Sequence, residues 1–308
     1  MVGCVIVVED RIIAEGFTSP FGGAHAEVNA IKAVKNPSVL VNATLYVTLE
    51  PCAHFGKTPP CSDLIIAHKI PRVVIGCVDE HAKVCGKGIS KLKAAGCEVI
   101  VGVLEAQCKA HHKRFFTFHT KKRPYIILKW AESNDGFIAP LSKLETKPVW
   151  ISNPLSRQLV HQWRAEEQAI LVGANTVVQD NPSLTTREVK GPNAVRIVVD
   201  LKNSLADSYN VFNSEAKTIH LTTKEIDTQE PLAFQVCNAL YRRDITSVII
   251  EGGQKTLQSF IDEDLWDEAR VFSSELNLVQ GVKNPKIEGT LISEMAIGSD
   301  TLKIHIND

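Results

Sequence analysis

Hydrophobic and polar positions along the first third of the chain predict strands and helices in turn. Alternating apolar residues on both sides of Glu9-Asp10 predict a hairpin over residues 2–17. From residue 25 onward, apolar residues at helical spacing alternate with short apolar runs. They predict helices over 25–35, 61–70 and 88–96 and strands over 43–50, 71–79 and 97–104. This succession indicates an α/β domain of three layers with some parallel pairing.

The composition changes at residues 111–124, HHKRFFTFHTKKRP, where basic and aromatic residues are concentrated. The phenylalanines fit a helix that packs between the two domains, and without a second basic run the segment does not predict nucleic-acid binding. We place the domain boundary here, with domains over 1–119 and 120–308. The second domain repeats the alternation of strands and helices. Its predicted strands cover 124–133, 169–173, 195–200, 217–223, 247–253, 268–276 and 301–306, and its predicted helices cover 156–166, 174–185 and 256–266.

Composition and charge narrow the class of protein. The 308 residues are 44% hydrophobic and 22% charged, with a formal net charge of −1. A chain of that length can form two hydrophobic cores. A net charge so close to zero does not indicate binding to nucleic acid or to a membrane surface. No apolar run reaches membrane-spanning length, and the N-terminus carries no signal-like segment, so a cytoplasmic location is expected. All cysteines except Cys237 lie between Cys4 and Cys108, which in a cytosolic α/β chain favours metal binding or core packing over disulfides.

Four residues of the first domain form a pattern typical of a catalytic zinc site. His25 and Glu27 begin a predicted helix, and Cys52 and Cys61 lie at the two ends of a polar loop. A catalytic zinc ion takes three protein ligands and keeps a fourth position for water, and one imidazole with two thiolates supplies those ligands. Glu27 is then placed to shuttle protons, as in the H-x-E and P-C-x-x-C pattern of nucleobase deaminases, although eight residues separate the cysteines here. Taken singly, Cys52 and Cys61 could be ordinary core cysteines, and His25 and Glu27 could be a solvent-exposed pair.

Longer stretches around these residues resemble one family. The stretches HAEVNAI, YVTLEPCAHFGKTPPC, GKGISKLKAAG, LKWAESNDG, DNPSLTTR and IEGG are similar to those of the bifunctional deaminase–reductases of riboflavin biosynthesis. The resemblance covers essentially the whole chain. It implies a cytidine-deaminase-like three-layer α/β/α domain followed by a dihydrofolate-reductase-like α/β domain. It also implies zinc-dependent hydrolytic deamination of 2,5-diamino-6-ribosylamino-4(3H)-pyrimidinone 5′-phosphate, then NADPH-dependent reduction of the ribosyl group to ribityl.

The resemblance implies a role for individual residues. His25, Cys52 and Cys61 would bind zinc, and Glu27 would be the catalytic acid/base. Residues implied to contact the deaminase substrate are His54, Lys57 and Thr58. Residues implied to bind NADPH are Ala131, Trp150, Thr176, Asp180, Gly253, Gln254, Lys255, Thr256, Leu257, Gln258 and Ser259. Residues implied to bind the reductase substrate are Arg164, Leu184, Arg187 and Glu251.

Simpler explanations stay open for some of these residues. Arg164 and Arg187 suit a sugar phosphate, because a guanidinium group binds phosphate through two parallel hydrogen bonds. Arg164 also fits an ordinary charge on a helix surface, and Trp150 fits core packing. A Gly-Gly turn between a strand and a helix is often only a connection. The family further suggests a homo-oligomer, either a dimer or a tetramer.

The start of the chain departs from the family pattern. The chain begins at Met1-Val2-Gly3, inside the first predicted strand, whereas the family has a preceding helix and an Asn that contacts the pyrimidine. Either the true start lies upstream, or the deaminase half is impaired and the chain is a reductase only. Two further hypotheses are an RNA- or nucleoside-editing deaminase, which the neutral charge disfavours, and a structural zinc site with Cys77 or Cys85 as a fourth ligand.

Overall fold

The structure is a computed structural model that describes residues 1–20, 22–56, 59–80, 85–143 and 145–307. The chain divides into two compact units, Met1–Lys121 and Lys122–Asp308. Within the described ranges, no helix has both the length and the apolar character that crossing a bilayer requires.

The first unit contains a five-stranded sheet in the order β2-β1-β3-β4-β5. Its strands are β1 Gly3–Val8, β2 Arg11–Phe17, β3 Thr44–Leu49, β4 Arg72–Cys77 and β5 Glu98–Val101. Its helices are α1 Ala26–Ala33, α2 Cys61–Ala67, α3 Lys87–Ala94 and α4 Glu105–Thr120, with a 3-10 helix at Pro37–Asn42. Strand β1 is antiparallel to β2 and β3, and β3, β4 and β5 run parallel.

Local sequence explains two features of this unit, the hairpin between β1 and β2 and the close packing of α1 on β2. The hairpin between β1 and β2 turns at Glu9 and Asp10, which have φ values of 48° and 59°, because positive φ at both turn residues matches the twist of the paired strands. Helix α1 lies so close to β2 that a Cβ atom on Gly16 would come within 2.4 Å of the backbone nitrogen of Ala30. Position 16 must therefore be glycine for helix α1 to pack this closely on β2.

Apolar side chains of the sheet and three helices form the core of the first unit. This core includes Ile6, Leu45, Ile75, Ala30, Ile65 and Leu92. Residues 111–120 of the basic and aromatic segment lie in helix α4, where Phe116 packs against Leu49 and Cys77. Phe115 packs against the same cluster, so both side chains belong to the core of this unit.

The second unit contains an eight-stranded sheet in the order β10-β9-β8-β11-β6-β12-β15-β14 and a small two-stranded sheet, β13-β7. The strands are β6 Tyr125–Glu132, β7 Phe137–Ala139, β8 Ala169–Gly173, β9 Val195–Val199, β10 Thr218–Leu221, β11 Ser247–Ile250, β12 Glu268–Ser273, β13 Val282–Lys283, β14 Thr290–Ile297 and β15 Asp300–Ile306. The helices are α5 Pro154–Glu166, α6 Ala174–Asp180, α7 Leu232–Tyr241 and α8 Gln254–Asp262, with a 3-10 helix at Asn210–Phe212.

Burial explains the apolar runs of this sheet. The strands from β10 to β12 run parallel, while β15 and β14 add antiparallel strands at one edge. Ile126, Ile127 and Leu128 of β6 are all fully buried, as expected for a parallel strand covered on both faces. The carboxyl ends of β6, β8 and β11 therefore meet at one edge of the sheet, the usual place for a ligand crevice in an open α/β fold.

Candidate functional sites

Three predicted metal ligands meet in the first unit. His25 directly precedes α1, Cys61 is the first residue of α2, and Cys52 follows β3. Nδ1 of His25 lies 3.6 Å from Sγ of Cys52 and 3.3 Å from Sγ of Cys61, and the three ligand atoms all lie within 4.8 Å of one another. A tetrahedral ion with bonds of about 2.3 Å to sulfur and about 2.0 Å to nitrogen would separate those atoms by about 3.5 Å. The geometry fits zinc.

The ligand set points to a catalytic rather than a structural zinc site. Among the described residues, this cluster contains one histidine and two cysteines and does not include Cys77 or Cys85. A structural zinc ion takes four protein ligands, whereas a catalytic one leaves a position open. The arrangement therefore disfavours the hypothesis of a structural site with a fourth cysteine.

Hydrogen bonds prepare Cys52 to bind a cation. The backbone N–H of Cys61 donates to Sγ of Cys52 at 3.3 Å. The side-chain hydrogen bond between the two thiols lowers the pKa of Cys52 and raises the pKa of Cys61. One thiolate is therefore favoured before a cation binds, and zinc, which binds the thiolate form, would displace the proton of the other thiol.

Glu27 lies beside the ligand cluster in the first turn of α1 and is 3% exposed. Burial raises the pKa of its carboxyl group to about 7, because a low-dielectric surrounding disfavours the charged form. A carboxyl group with a pKa near the working pH can both accept and return a proton. The structure places the predicted acid/base next to all three predicted ligands.

The predicted substrate contacts of the loop are only partly described. His54 is exposed to solvent. Lys57 and Thr58 lie outside the described residues. The roles proposed for these three residues stay predictions.

Glu50 anchors the turn that leads to Cys52, and sequence reasoning did not single it out. Its carboxylate is 4% exposed and accepts hydrogen bonds from the backbone N–H groups of Asp79, Gly86, Gly88 and Ile89 at 2.9 to 3.3 Å. A Cβ atom on Gly88 would come within 1.9 Å of the carbonyl oxygen of Pro51. This buried carboxylate thus ties the end of β3 to the start of α3.

A cavity of about 700 Å³ opens in the second unit at the carboxyl ends of β6, β8 and β11. Predicted site residues that line it are Ala131, Trp150, Arg164, Thr176, Asp180, Leu184, Arg187, Glu251, Gly253, Gln254 and Leu257. Predicted residues on α8 that do not belong to the lining are Lys255, Thr256, Gln258 and Ser259. The cavity therefore gathers residues from 129–187, from the start of α8 and from β13.

The Gly-Gly turn before α8 packs tightly on a neighbouring strand. A Cβ atom on Gly252 would come within 2.7 Å of the backbone nitrogen of Gly173. The N–H of Gly253 donates to Oγ1 of Thr176 at 2.9 Å. The turn thus brings the starts of α6 and α8 together at the cavity, where helix N-termini favour an anionic group.

An ion pair forms one wall of the cavity. Nη2 of Arg164 lies 2.8 Å from Oε2 of Glu251, and both side chains are nearly buried. Although burial opposes ionisation, Arg164 and Lys129 lower the pKa of Glu251 to about 2. Lys129, which also lines the cavity, has its own pKa lowered by burial. Arg164 is therefore paired inside the site and is not a surface charge.

His161 is a cavity residue that sequence reasoning did not identify. It is 4% exposed, and its Nδ1 accepts a hydrogen bond from the backbone N–H of Arg187 at 3.2 Å. Burial, with Arg164 and Arg187 adding to it, lowers the pKa of His161 to about 4. The imidazole is therefore neutral at pH 7, as its role as an acceptor requires.

Trp150 and Asp180 line the outer part of the cavity. The ring of Trp150 is 57% exposed, and the guanidinium carbon of Arg157 lies 4.8 Å from its centre. Asp180 forms an ion pair with Lys143. The exposure of Trp150 contradicts the alternative explanation of this residue as core packing.

Comparisons with known proteins identify both domains of the chain. The protein-family model of the cytidine and deoxycytidylate deaminase zinc-binding region matches residues 1–77. The protein-family model of the RibD C-terminal domain matches residues 124–276. The riboflavin biosynthesis protein RibD of Aquifex aeolicus is 40% identical over 98% of this chain and 86% of its own length. RibD of Escherichia coli is 31% identical over 88% of this chain and 80% of its own length.

Solved structures agree along the whole chain. A diaminohydroxyphosphoribosylaminopyrimidine deaminase/5-amino-6-(5-phosphoribosylamino)uracil reductase from Thermotoga maritima is 38% identical, with a TM-score of 0.88 over 99% of this chain and 91% of the other. RibD of Acinetobacter baumannii is 28% identical, with a TM-score of 0.87 over the same shares. The predicted fold class, a cytidine-deaminase-like domain followed by a dihydrofolate-reductase-like domain, is confirmed. The chain belongs to the RibD family of riboflavin biosynthesis proteins.

Proposed function

We propose that this chain catalyses two consecutive steps of riboflavin biosynthesis. The first is the hydrolytic deamination of 2,5-diamino-6-ribosylamino-4(3H)-pyrimidinone 5′-phosphate, and the second is the NADPH-dependent reduction of its ribosyl group to ribityl. The observation that carries the proposal is the cluster of His25, Cys52 and Cys61 with the buried Glu27 beside it. Since this catalytic cluster is present, the hypothesis of a reductase without a deaminase is not favoured.

Glu27 handles the protons of the first step. When bound by His25, Cys52 and Cys61, zinc supplies a Lewis acid that makes water reactive near neutral pH. Glu27 accepts a proton from the attacking water and returns it to the leaving amino group, so that a carbonyl forms and ammonia departs. The burial of Glu27 beside the three ligands supports this role, because a buried carboxyl group holds its proton more readily than an exposed one.

The cavity of the second unit accommodates the second step. NADPH supplies the hydride, and the protein supplies position and electrostatics. The start of α8, which directly follows Gly253, offers backbone N–H groups to a phosphate of the cofactor. Arg187 lines the same cavity and suits the phosphate of the substrate. Ala131, Trp150, Thr176 and Asp180 are proposed to contact NADPH, and Arg164, Leu184 and Glu251 are proposed to contact the substrate.

The decisive experiment follows both products in one reaction. The chain is incubated with the diaminopyrimidinone ribotide and NADPH, and ammonia release and NADPH absorbance are recorded separately. We expect ammonia to appear first and NADPH oxidation to follow. NADPH oxidation without ammonia release would contradict the first half of the proposal, and ammonia release without NADPH oxidation would contradict the second.

We further propose that the chain forms a homo-oligomer through its second unit. Strand β14 is an edge strand of the large sheet, and it exposes Leu291, Ile292 and Met295. An exposed apolar edge favours pairing with another chain. Light scattering on the purified chain would detect a dimer or a tetramer, whereas a monomer would contradict this proposal.

A further inference from the structure

Arg196 is a buried cation of the second unit that does not itself line the cavity. It lies on β9 with a relative exposure of 0%. Its Nε donates to Oγ1 of Thr218 at 2.9 Å, and its Nη1 donates to Oδ1 of Asn213 at 2.9 Å. Its Nη2 donates to the carbonyl oxygens of Asn213 and Ala216 at 2.5 and 2.6 Å. Arg196 forms no ion pair with any described carboxylate, so these oxygens compensate its charge.

The segment 181–187, which forms one wall of the cavity, has an unusual backbone. Asn181 and Leu184 have φ values of 40° and 54°. Residues other than glycine rarely adopt this left-handed conformation, and a leucine there persists only when its surroundings hold it. Leu184 is 3% exposed and faces the cavity. The conformation of this wall must therefore be imposed by neighbouring groups.

Arg196 and Asn210 supply the contacts that impose it. Nη1 of Arg196 donates to the carbonyl oxygen of Ser183 at 3.2 Å, directly before Leu184. The same Nη1 lies 3.1 Å from the carbonyl oxygen of Asn210. Asn210 in turn donates its backbone N–H to Oδ1 of Asn181 at 2.8 Å and its side-chain amide to the carbonyl oxygen of Asn181 at 3.0 Å. Both left-handed residues are thus held by one connected set of hydrogen bonds.

The same segment carries the groups proposed to recognise the substrate. Nη1 of Arg187 lies 3.2 Å from Oγ1 of Thr185, and the carbonyl oxygen of Thr185 accepts from Nη1 of Arg164 at 3.4 Å. A shift of the backbone at Leu184 would therefore move Arg187 and loosen Arg164. By contrast, the turn at Gly253 and helix α8, as far as the structure describes them, make no hydrogen bond to Arg196.

We propose that Arg196 is a positioning residue for substrate recognition, which holds the segment 181–187 in its left-handed conformation and so sets where Leu184 and Arg187 meet the substrate. This inference rests on the proposed reductase function. The proposal predicts different effects on the two ligands of the cavity. Arg196 supports the wall proposed to contact the pyrimidine ribotide, and it does not support the turn proposed to contact NADPH.

The test compares Arg196→Lys with the wild-type full-length chain. The KM for the deaminated substrate and kcat are measured from NADPH oxidation, and the Kd for NADPH is measured by fluorescence. We expect the KM to rise about tenfold or more, while the Kd for NADPH stays within about threefold. A KM equal to that of the wild type, or a parallel weakening of NADPH binding, would overturn the proposal. A wild-type chain that does not oxidise NADPH would instead overturn the proposed function.

A milder variant covers the case in which Arg196→Lys does not fold. Asn210→Ala changes an exposed residue and removes only the side-chain bond to the carbonyl of Asn181. Its KM should rise in the same direction by a smaller factor, with an unchanged Kd for NADPH. Lys202→Ala, an exposed change after the same strand, is the matched control and should leave both values unchanged. An unchanged KM in Asn210→Ala would then decide against the proposal.

Discussion

The guanidinium group of Arg164 and the carboxylate of Glu251 form a nearly buried ion pair, with Nη2 and Oε2 2.8 Å apart. Helix α5 and the end of strand β11 each supply one partner, so the pair joins two elements at the carboxyl edge of the sheet. Arg164 also contacts the carbonyl oxygen of Thr185. This single pair therefore couples the stability of the second unit to the shape of its cavity.

Removing one partner of this pair should destabilise the second unit strongly. In Arg164→Met, Glu251 would stay buried and keep only Lys129 as a nearby positive charge, and removing one partner of a buried ion pair costs up to about 3–5 kcal/mol. The free energy of unfolding, measured in urea, should fall by an amount of that order. The double variant Arg164→Met/Glu251→Gln should recover part of the loss. If the single variant unfolds at the wild-type urea concentration, the pair contributes nothing to stability.

The buried His161 should make the second unit less stable in acid. Its pKa is about 4 in the folded chain and 6.5 in the reference state. Because the unfolded chain binds the proton more readily, stability is fully present above pH 6.5 and falls as the pH drops toward 4. The slope from this one residue reaches about 1.4 kcal/mol per pH unit.

His161→Asn tests this assignment, because an asparagine oxygen can accept the hydrogen bond from Arg187 without titrating. Urea unfolding at several pH values between 4 and 7 should show a shallower loss of stability in the variant than in the wild type. Equal slopes in the two chains would assign the acid sensitivity to other groups.

The carboxylate of Glu50 should stabilise the turn that carries Cys52. In Glu50→Gln, an amide NH₂ group would face backbone N–H donors such as those of Asp79 and Gly86. Leaving such buried donors unpaired costs about 1–3 kcal/mol. We expect faster loss of zinc to a chelator from this variant. Glu98→Gln, at an exposed position of the same unit, is the control, and equal rates of zinc loss in both variants would contradict the role of Glu50.

Trp150 should report on NADPH binding. It is 57% exposed at the cavity, whereas Trp130, Trp163 and Trp266 are between 3% and 8% exposed. NADPH should therefore quench the fluorescence of Trp150, and Trp150→Phe should lose part of that quenching, since Trp130 also lines the cavity. Quenching that persists in full in Trp150→Phe would place the cofactor elsewhere.

The sequence predicts the metal centre better than the cavity, for a physical reason. His25 and Glu27 stand two residues apart at the start of a helix, and Cys52 and Cys61 flank one loop, so local pattern identifies them. Most strands and helices follow from periodicity in the same way. Helix α7 and strands β7, β13 and β14 were not predicted. Strands β7 and β13 are very short, and β14 lies mostly exposed, so none of the three shows a clear apolar alternation.

The supporting residues of both sites depend on contacts between distant parts of the chain. Glu50 meets backbone groups up to 39 positions away, and Arg164 meets Glu251 across 87 positions. Arg196 stands in an otherwise apolar strand and resembles an outward-facing charge in the sequence. Only the folded chain shows the carbonyl groups that surround it, since loop conformation is not encoded in hydrophobic spacing.

The bifunctional account is tested most directly by measuring ammonia release, NADPH oxidation and zinc content in Glu27→Gln. We predict that ammonia release from the diaminopyrimidinone ribotide falls by at least about a hundredfold, because the proton shuttle is lost. Zinc should stay bound, since His25, Cys52 and Cys61 are unchanged, and NADPH oxidation with the already deaminated substrate should match the wild type. Ammonia release at the wild-type rate from the zinc-loaded variant would contradict the account.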